Sequence, residues 1–154
     1  AVSIAGGASA GAGGTAGAVS IDAGAANGGT GAGVTIGGTN ATSITLGKMP
    51  IVPAASVAAA GSAQGDAAAI ATGITWVTAA NGTKGVKLPA AAAGLLCIVK
   101  NDDTADAVLK VYPNTDDTIN ALAANASLDM AAKTAALFAC LDGTAWFTVP
   151  LLPS

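Results

Sequence analysis

Short aliphatic triplets separated by small residues set the pattern of the first third of the chain. They read Val2-Ser3-Ile4, Val19-Ser20-Ile21, Val34-Thr35-Ile36 and Ile44-Thr45-Leu46. Each puts a small hydroxyl residue between two aliphatic ones. The stretches between them are built almost wholly from Gly, Ala, Ser, Thr and Asn. The triplets begin at 2, 19, 34 and 44, so the spacing shrinks and no solenoid of fixed period is expected. Such a stretch has too little apolar area for a compact core. It can supply short strands to a fibrous assembly of several copies. Residues 1–48 are therefore expected to form an intertwined β stalk of three chains. Gly and Ala would sit where backbones approach closely. Val19, Ile21, Val34, Ile36, Ile44 and Leu46 would face the axis as the trimer interface. A flexible Gly-rich linker is the alternative. The consistent placement of the triplets relative to the glycines argues against it.

Lys48-Met49-Pro50-Ile51-Val52-Pro53 marks a boundary, because two prolines three apart exclude a central strand. Residues 49–64 are expected to be a connector, with 54–64 as a short helix stopped at Gly61 or as further linker. From 65 to 154 the pattern changes to short strands with frequent turn signals. Strands are expected at Ile74–Thr78, Val86–Leu88, Leu95–Lys100, Ala107–Tyr112, Thr118–Leu122, Ala135–Leu141 and Ala145–Val149. Asn81-Gly82 reads as a turn and Asp142-Gly143 as a hairpin. Residues 121–126 and 130–136 have helical propensity, but their neighbours favour loop or strand. The fold class expected is all-β: an intertwined trimeric stalk followed by a β-sandwich, jelly-roll-like head. Trp146 and Phe147 are adjacent, so on a strand they face opposite sides. One enters the core and the other meets a partner or solvent. Trp146 is assigned to the trimer interface on this ground.

Composition sharpens this picture. The chain is 52% hydrophobic, but much of that is alanine and only 3% is aromatic. At about 25 cal/mol per Å², alanine contributes little on burial, so subunit association is expected to supply part of the apolar contact. Six lysines are scattered, arginine is absent and the net charge is −3. Nucleic acid is not expected as a partner, since phosphate binding needs clustered cations. Membrane insertion is not expected either, since the longest apolar run, 90–99, is too short to span. The start at Ala1 fits Met removal, processing or a fragment alike, and nothing there reads as a signal peptide.

Catalytic constellations are missing from the sequence. With no histidine there is no Ser-His-Asp or Cys-His arrangement. No cluster has zinc-ligand spacing, and no phosphate-binding loop occurs. No cofactor and no enzymatic activity are expected. Cys97 and Cys140, each among aliphatics, read as buried small hydrophobes, with a disulfide as the alternative. Acidic residues crowd two loops, Asp102, Asp103 and Asp106, then Asp116 and Asp117. Paired carboxylates suit calcium or glycoside hydrolysis, but loop capping explains them equally. Asp102, Asp103, Asn114, Asp116 and Asp117 are the candidate recognition residues. An array of threonines at 35, 39, 42 and 45 admits an ice-binding reading, which its irregular spacing disfavours.

Residues 65–154 resemble the C-terminal β-domains of tailed-bacteriophage fibre and capsid-decoration proteins. The resemblance rests on Gly82-Thr83-Lys84-Gly85-Val86-Lys87-Leu88-Pro89, Val99-Lys100-Asn101-Asp102, Leu109-Lys110-Val111-Tyr112-Pro113-Asn114-Thr115, Thr118-Ile119-Asn120 and Gly143-Thr144-Ala145-Trp146-Phe147. The phrase Ala41 to Gly47 is similar to repeats of phage fibre stalks. The resemblance implies a homotrimer on the virion surface, assembled in the host cytoplasm, with capsid or tail proteins as partners. It implies a structural fibre or decoration protein displayed on the capsid. The alternative is the receptor-binding tip of a tail fibre, with a host-surface glycan as partner. An extracellular adhesin or ice-binding protein is the more remote class.

Overall fold

A computed structural model of the chain describes residues 51–150. The chain divides into two units, residues 1–49 and 50–154, and the described residues belong to the second. The stalk expectation, with Val19, Ile21, Val34, Ile36, Ile44 and Leu46, lies outside them.

Strand-forming stretches here are short and separated by Gly, Asn and Asp. The described residues accordingly form ten strands and no helix. They are β1 (Ala54–Ala58), β2 (Ala68–Ala69), β3 (Ile74–Thr78), β4 (Gly85–Lys87), β5 (Leu96–Asn101), β6 (Leu109–Tyr112), β7 (Thr118–Ile119), β8 (Leu128–Met130), β9 (Ala135–Cys140) and β10 (Ala145–Pro150). A six-stranded sheet has the order β1-β3-β5-β9-β10-β7, and a four-stranded sheet the order β2-β4-β6-β8.

The chain alternates between the two sheets from β1 to β6. β3 pairs parallel with β1 and β5, and β4 pairs parallel with β2 and β6. This is a β-solenoid-like coil. Only β8, β9 and β10 bring in antiparallel pairs, β8 on β6 and β9 between β5 and β10. The jelly-roll expectation therefore gets two packed sheets with a different connectivity. The reason lies in the turns. Asn81-Gly82 is the expected turn, and it carries the chain from one sheet to the other. Asn81 Oδ1 accepts from the N–H groups of Thr83 and Lys84. Asp142-Gly143 does close a hairpin, with Trp146 opposite Cys140.

Residues 54–58 also depart from the expectation of helix or linker. They lie as the edge strand β1, in register with β3 from Ala54–Ile74 to Ala58–Thr78. Alanine has helical propensity, but here the cross-strand ladder overrides it. Residues 121–126 and 130–136, read as loop or strand despite their helical propensity, form no helix: β8 pairs with β6, and a turn leads from it into β9.

Alternation sorts each strand into an inward and an outward set. Val77, Val86, Val99, Leu109, Val111, Ile119, Phe138 and Trp146 point inward and are fully or nearly fully buried. Ala68, Val86, Val111 and Leu128 form one cross-strand row of this core. Trp146, assigned to a subunit interface, is only 1% exposed within its own chain. Its ring has no surface left for a partner. The neighbouring Phe147 is the residue that faces outward.

On the other side of the four-stranded sheet, the Tyr112 ring lies across Gly85, and its hydroxyl donates to the Ser62 carbonyl at 3.1 Å. A Cβ at Gly85 would stand 2.6 Å from the Lys110 carbonyl oxygen and 2.7 Å from the Tyr112 ring. Gly85→Ala is therefore expected to destabilise this unit by about 1–3 kcal/mol, because the backbone and a pinned ring must move. A lowered urea midpoint with an unchanged slope checks this.

Candidate functional site

In a coil of two parallel-stranded sheets, the chain crosses at one end of the strands and returns at the other. One end gathers residues 79–84, 102–108 and 131–134. Gly82 N–H donates to the Val108 carbonyl and Asn101 N–H to the Thr134 carbonyl. The opposite end gathers residues 88–95, 113–117 and 120–127. There Ala91 N–H donates to the Asp117 carboxylate at 3.0 Å, and Asn125 N–H to the Asp117 carbonyl. The two candidate recognition loops thus lie at opposite ends of the coil. Asp102 and Asp103 are not brought together with Asn114, Asp116 and Asp117.

Each candidate has a local partner. Asp102 pairs with Lys100 at 2.6 Å. Asp103 is buried, and its carboxylate accepts from the N–H groups of Ala105 and Ala107. Asn114 accepts from Thr115 N–H through its side chain and from Asp117 N–H through its carbonyl. Asp116 adopts a left-handed backbone with φ 66°, and its N–H donates to Asn125 Oδ1. Asp117 is buried against Ala91. Asp106, also left-handed, pairs with Lys133 at 2.6 Å. For Asp103, Asn114 and Asp117 this is loop capping, in which side-chain oxygens satisfy backbone donors that the corners leave free. Among the described residues, no three His, Cys, Asp or Glu side chains converge to hold a metal ion.

Cys97 and Cys140 are buried free thiols. Cys97 stands opposite Phe138, so Cys140 is its diagonal neighbour two residues along β9. Diagonal Cα pairs sit about 7–8 Å apart, beyond ordinary disulfide reach. Burial also pushes the Cys97 thiol above its usual pKa, which keeps it protonated and unreactive. It borders a small, mainly apolar cavity of about 190 Å³ beside Ile70, Gly73, Pro89 and Leu95.

The feature that does stand out is a sheet face. The outward side of the four-stranded sheet carries Lys87, Lys110, Asp129 and Tyr112, with Lys110 and Asp129 paired at 2.8 Å. The outward side of the six-stranded sheet is apolar. Ala54, Ile74, Ile98, Leu137 and Val149 form an unbroken row across five strands. Leu96, Ala139 and Phe147 make a second row, and Ser56, Trp76, Lys100 and Ala135 a third. Lys100 is the one charged side chain in these rows. Leu96 is 56% exposed, Val149 45% and Trp76 39%. The signal in the sequence was continuous apolarity: Leu95 to Val99 places hydrophobes on both faces of one strand, as in sheets buried on both sides.

No protein-family model, curated protein or solved structure matches this chain.

Two expectations follow from the loop geometry. Asn101 is fully buried, and its Nδ2 donates to the carbonyls of Ala107 and Met130. Asn101→Ala leaves both buried carbonyls short of a donor and is expected to cost about 1–3 kcal/mol. Asp102→Asn removes an exposed ion pair and is expected to change stability by less than about 1 kcal/mol. Chemical denaturation of both variants checks the contrast.

At the β9–β10 turn, Asp142 accepts hydrogen bonds from Thr144 N–H, Ala145 N–H and the Thr144 hydroxyl. These bonds hold its carboxyl below the usual range. The folded value lies below the unfolded one, so the stabilisation is full above the unfolded pKa and is lost as pH falls through the folded one. Hydrogen exchange at the hairpin tip is expected to quicken below about pH 4 relative to the hydrogen-bonded strands β9 and β10. Asp142→Asn, which still accepts but does not titrate, is expected to remove that dependence.

Proposed function

We propose that this chain is a non-enzymatic structural protein of a bacteriophage particle, a trimeric fibre or decoration protein displayed on the capsid. In this reading residues 1–48 are the intertwined stalk, and the globular head, expected over residues 65–154, also takes in β1. The observation that carries it is the contrast between the two outward sheet faces. One is polar and ion-paired; the other is apolar across five strands. A large apolar patch on a small unit marks a surface made for protein contact. Among the polar loop residues, by contrast, Asp103, Asn114 and Asp117 are engaged in holding the corners. The virion setting is supported by the resemblance of residues 82–89, 99–102, 109–115, 118–120 and 143–147 to phage fibre and decoration domains.

A second reading, the receptor-binding tip of a tail fibre, has one observation in its favour. Trp76 lies in β3 and faces outward, with Lys100 opposite on β5. Lys100 in turn holds Asp102. An exposed indole beside hydrogen-bonding groups is a platform on which a sugar ring can stack.

Light scattering on the purified chain is expected to give about three times 14.3 kDa, and labelling of intact particles to place it on the capsid. Label at the tail tip, with cell binding lost in Trp76→Ala, selects the second reading. Hydrolysis of a host polysaccharide abolished by Asp116→Asn overturns the non-enzymatic assignment.

A further inference from the structure

We infer that copies of this chain pack against one another through the outward face of the six-stranded sheet. This rests on the self-associating reading above and names the surface that performs it. It places an interface in residues 54–149, independent of any contact made by residues 1–48.

The chemistry of the face selects a second copy over other occupants. Where copies turn this face toward a shared symmetry axis, equivalent residues draw near one another, so an unpaired charge on the face would approach its own kind. The three rows hold a single charge, Lys100, and Asp102 neutralises it at 2.6 Å from within the same chain. The face is thus net neutral and self-compatible. A strongly acidic or basic partner would find no counter-charge on it. The residues also offer relief for interlocking. Large Leu96 and Phe147 flank small Ala139 in register.

The patch would form the apolar centre of the contact, since a stable interface covers roughly 800 Å² per partner. Five strands spaced about 4.8 Å apart and about five residues long give a platform of roughly 20 by 17 Å. Leu96, Val149 and Trp76 are its most exposed members, with Ile74, Ile98, Leu137 and Phe147 half-buried between them. A contiguous apolar patch of this extent is at the level of the largest patch on a typical monomer, roughly 300–600 Å². It sits on a unit with few large core residues.

The test uses the full chain. Leu96→Lys/Val149→Lys puts two charges on the face at positions exposed in the folded unit, so the inward core is untouched. Ala124→Lys, exposed between β7 and β8, is the control. Sedimentation and light scattering are expected to show an oligomer for the parent and for Ala124→Lys. The double variant is expected to show at least a tenfold weaker association or a 14.3 kDa monomer, with an unchanged β-type circular dichroism spectrum.

Tryptophan fluorescence gives a readout without substitution. Of the two tryptophans, Trp146 is buried in any state, so changes report Trp76. Diluting the parent is expected to red-shift emission and raise acrylamide quenching in step with dissociation. A double variant that keeps the parent mass, with Trp76 equally quenched at all concentrations, overturns this interface and leaves self-association to another surface. A parent that is monomeric throughout overturns both the interface and the trimeric reading. A monomer whose Trp76 is shielded shows that another part of the same chain covers the face, which also overturns the inference.

Discussion

Asn101 is the residue on which the coil turns. It ends β5, fully buried, where the chain leaves the six-stranded sheet. Its N–H donates to the Thr134 carbonyl and its carbonyl accepts from Lys133 N–H. Its side-chain amide donates to the carbonyls of Ala107 and Met130, while its Oδ1 accepts from Asp103 N–H. One side chain therefore ties the exit of β5, the approach to β6 and the β8–β9 turn together. This is the place where the parallel coil gives way to antiparallel strands. A buried amide that satisfies this many backbone groups sets geometry as well as stability, since an apolar replacement would orphan each of them.

From that fixed corner the rest follows by alternation. β5 leads into Asn101 with Cys97 and Val99 inward, which forces Leu96, Ile98 and Lys100 outward. β9 answers in register, with Phe138 and Cys140 inward and Leu137 outward. β10 places Trp146 inward and Phe147 outward by the same rule. Both parities of these strands are apolar, so filling the inner face leaves an equally apolar outer one. The four-stranded sheet differs. Its outward positions hold Lys87, Lys110 and Asp129, which suit water. The asymmetry between the two faces is thus written into which parity carries charge.

This explains what the sequence made legible. Strand positions rich in β-branched and aromatic residues were readable, and Ile74–Thr78 matches its strand end to end. The Asp142-Gly143 hairpin was readable because the local chemistry closes it without help from elsewhere. What hid from view depended on partners far away in the chain. Ala54–Ala58 is a strand only because β3 lies beside it. Asn81-Gly82 has the local form of a hairpin turn, but the sheet in which β4 finds its neighbours is set by β2 and β6. For the candidate site, the Trp146–Phe147 pair correctly signalled two apolar faces. Adjacent residues do not reveal which one enters the core; the register on Cys140 and Ala139 decides it.

The loops carry a related lesson about where recognition can reside in this unit. Asp106, Asp116, Asn120, Asn125 and Lys133 all take left-handed backbone conformations. The corners of the coil are tight, and Asp and Asn tolerate such conformations while their side chains cap free N–H groups. An acidic side chain that accepts from the backbone is held in place by the turn it stabilises. Asp103 and Asp117 are both buried in this role. Concentrations of Asp and Asn at the corners are therefore the natural outcome of folding a coil from short strands. The surface left to meet other molecules is the one whose side chains have no work to do within the chain. In the six-stranded sheet that surface is the outward row from Ala54 to Val149, where nothing but packing remains to be satisfied.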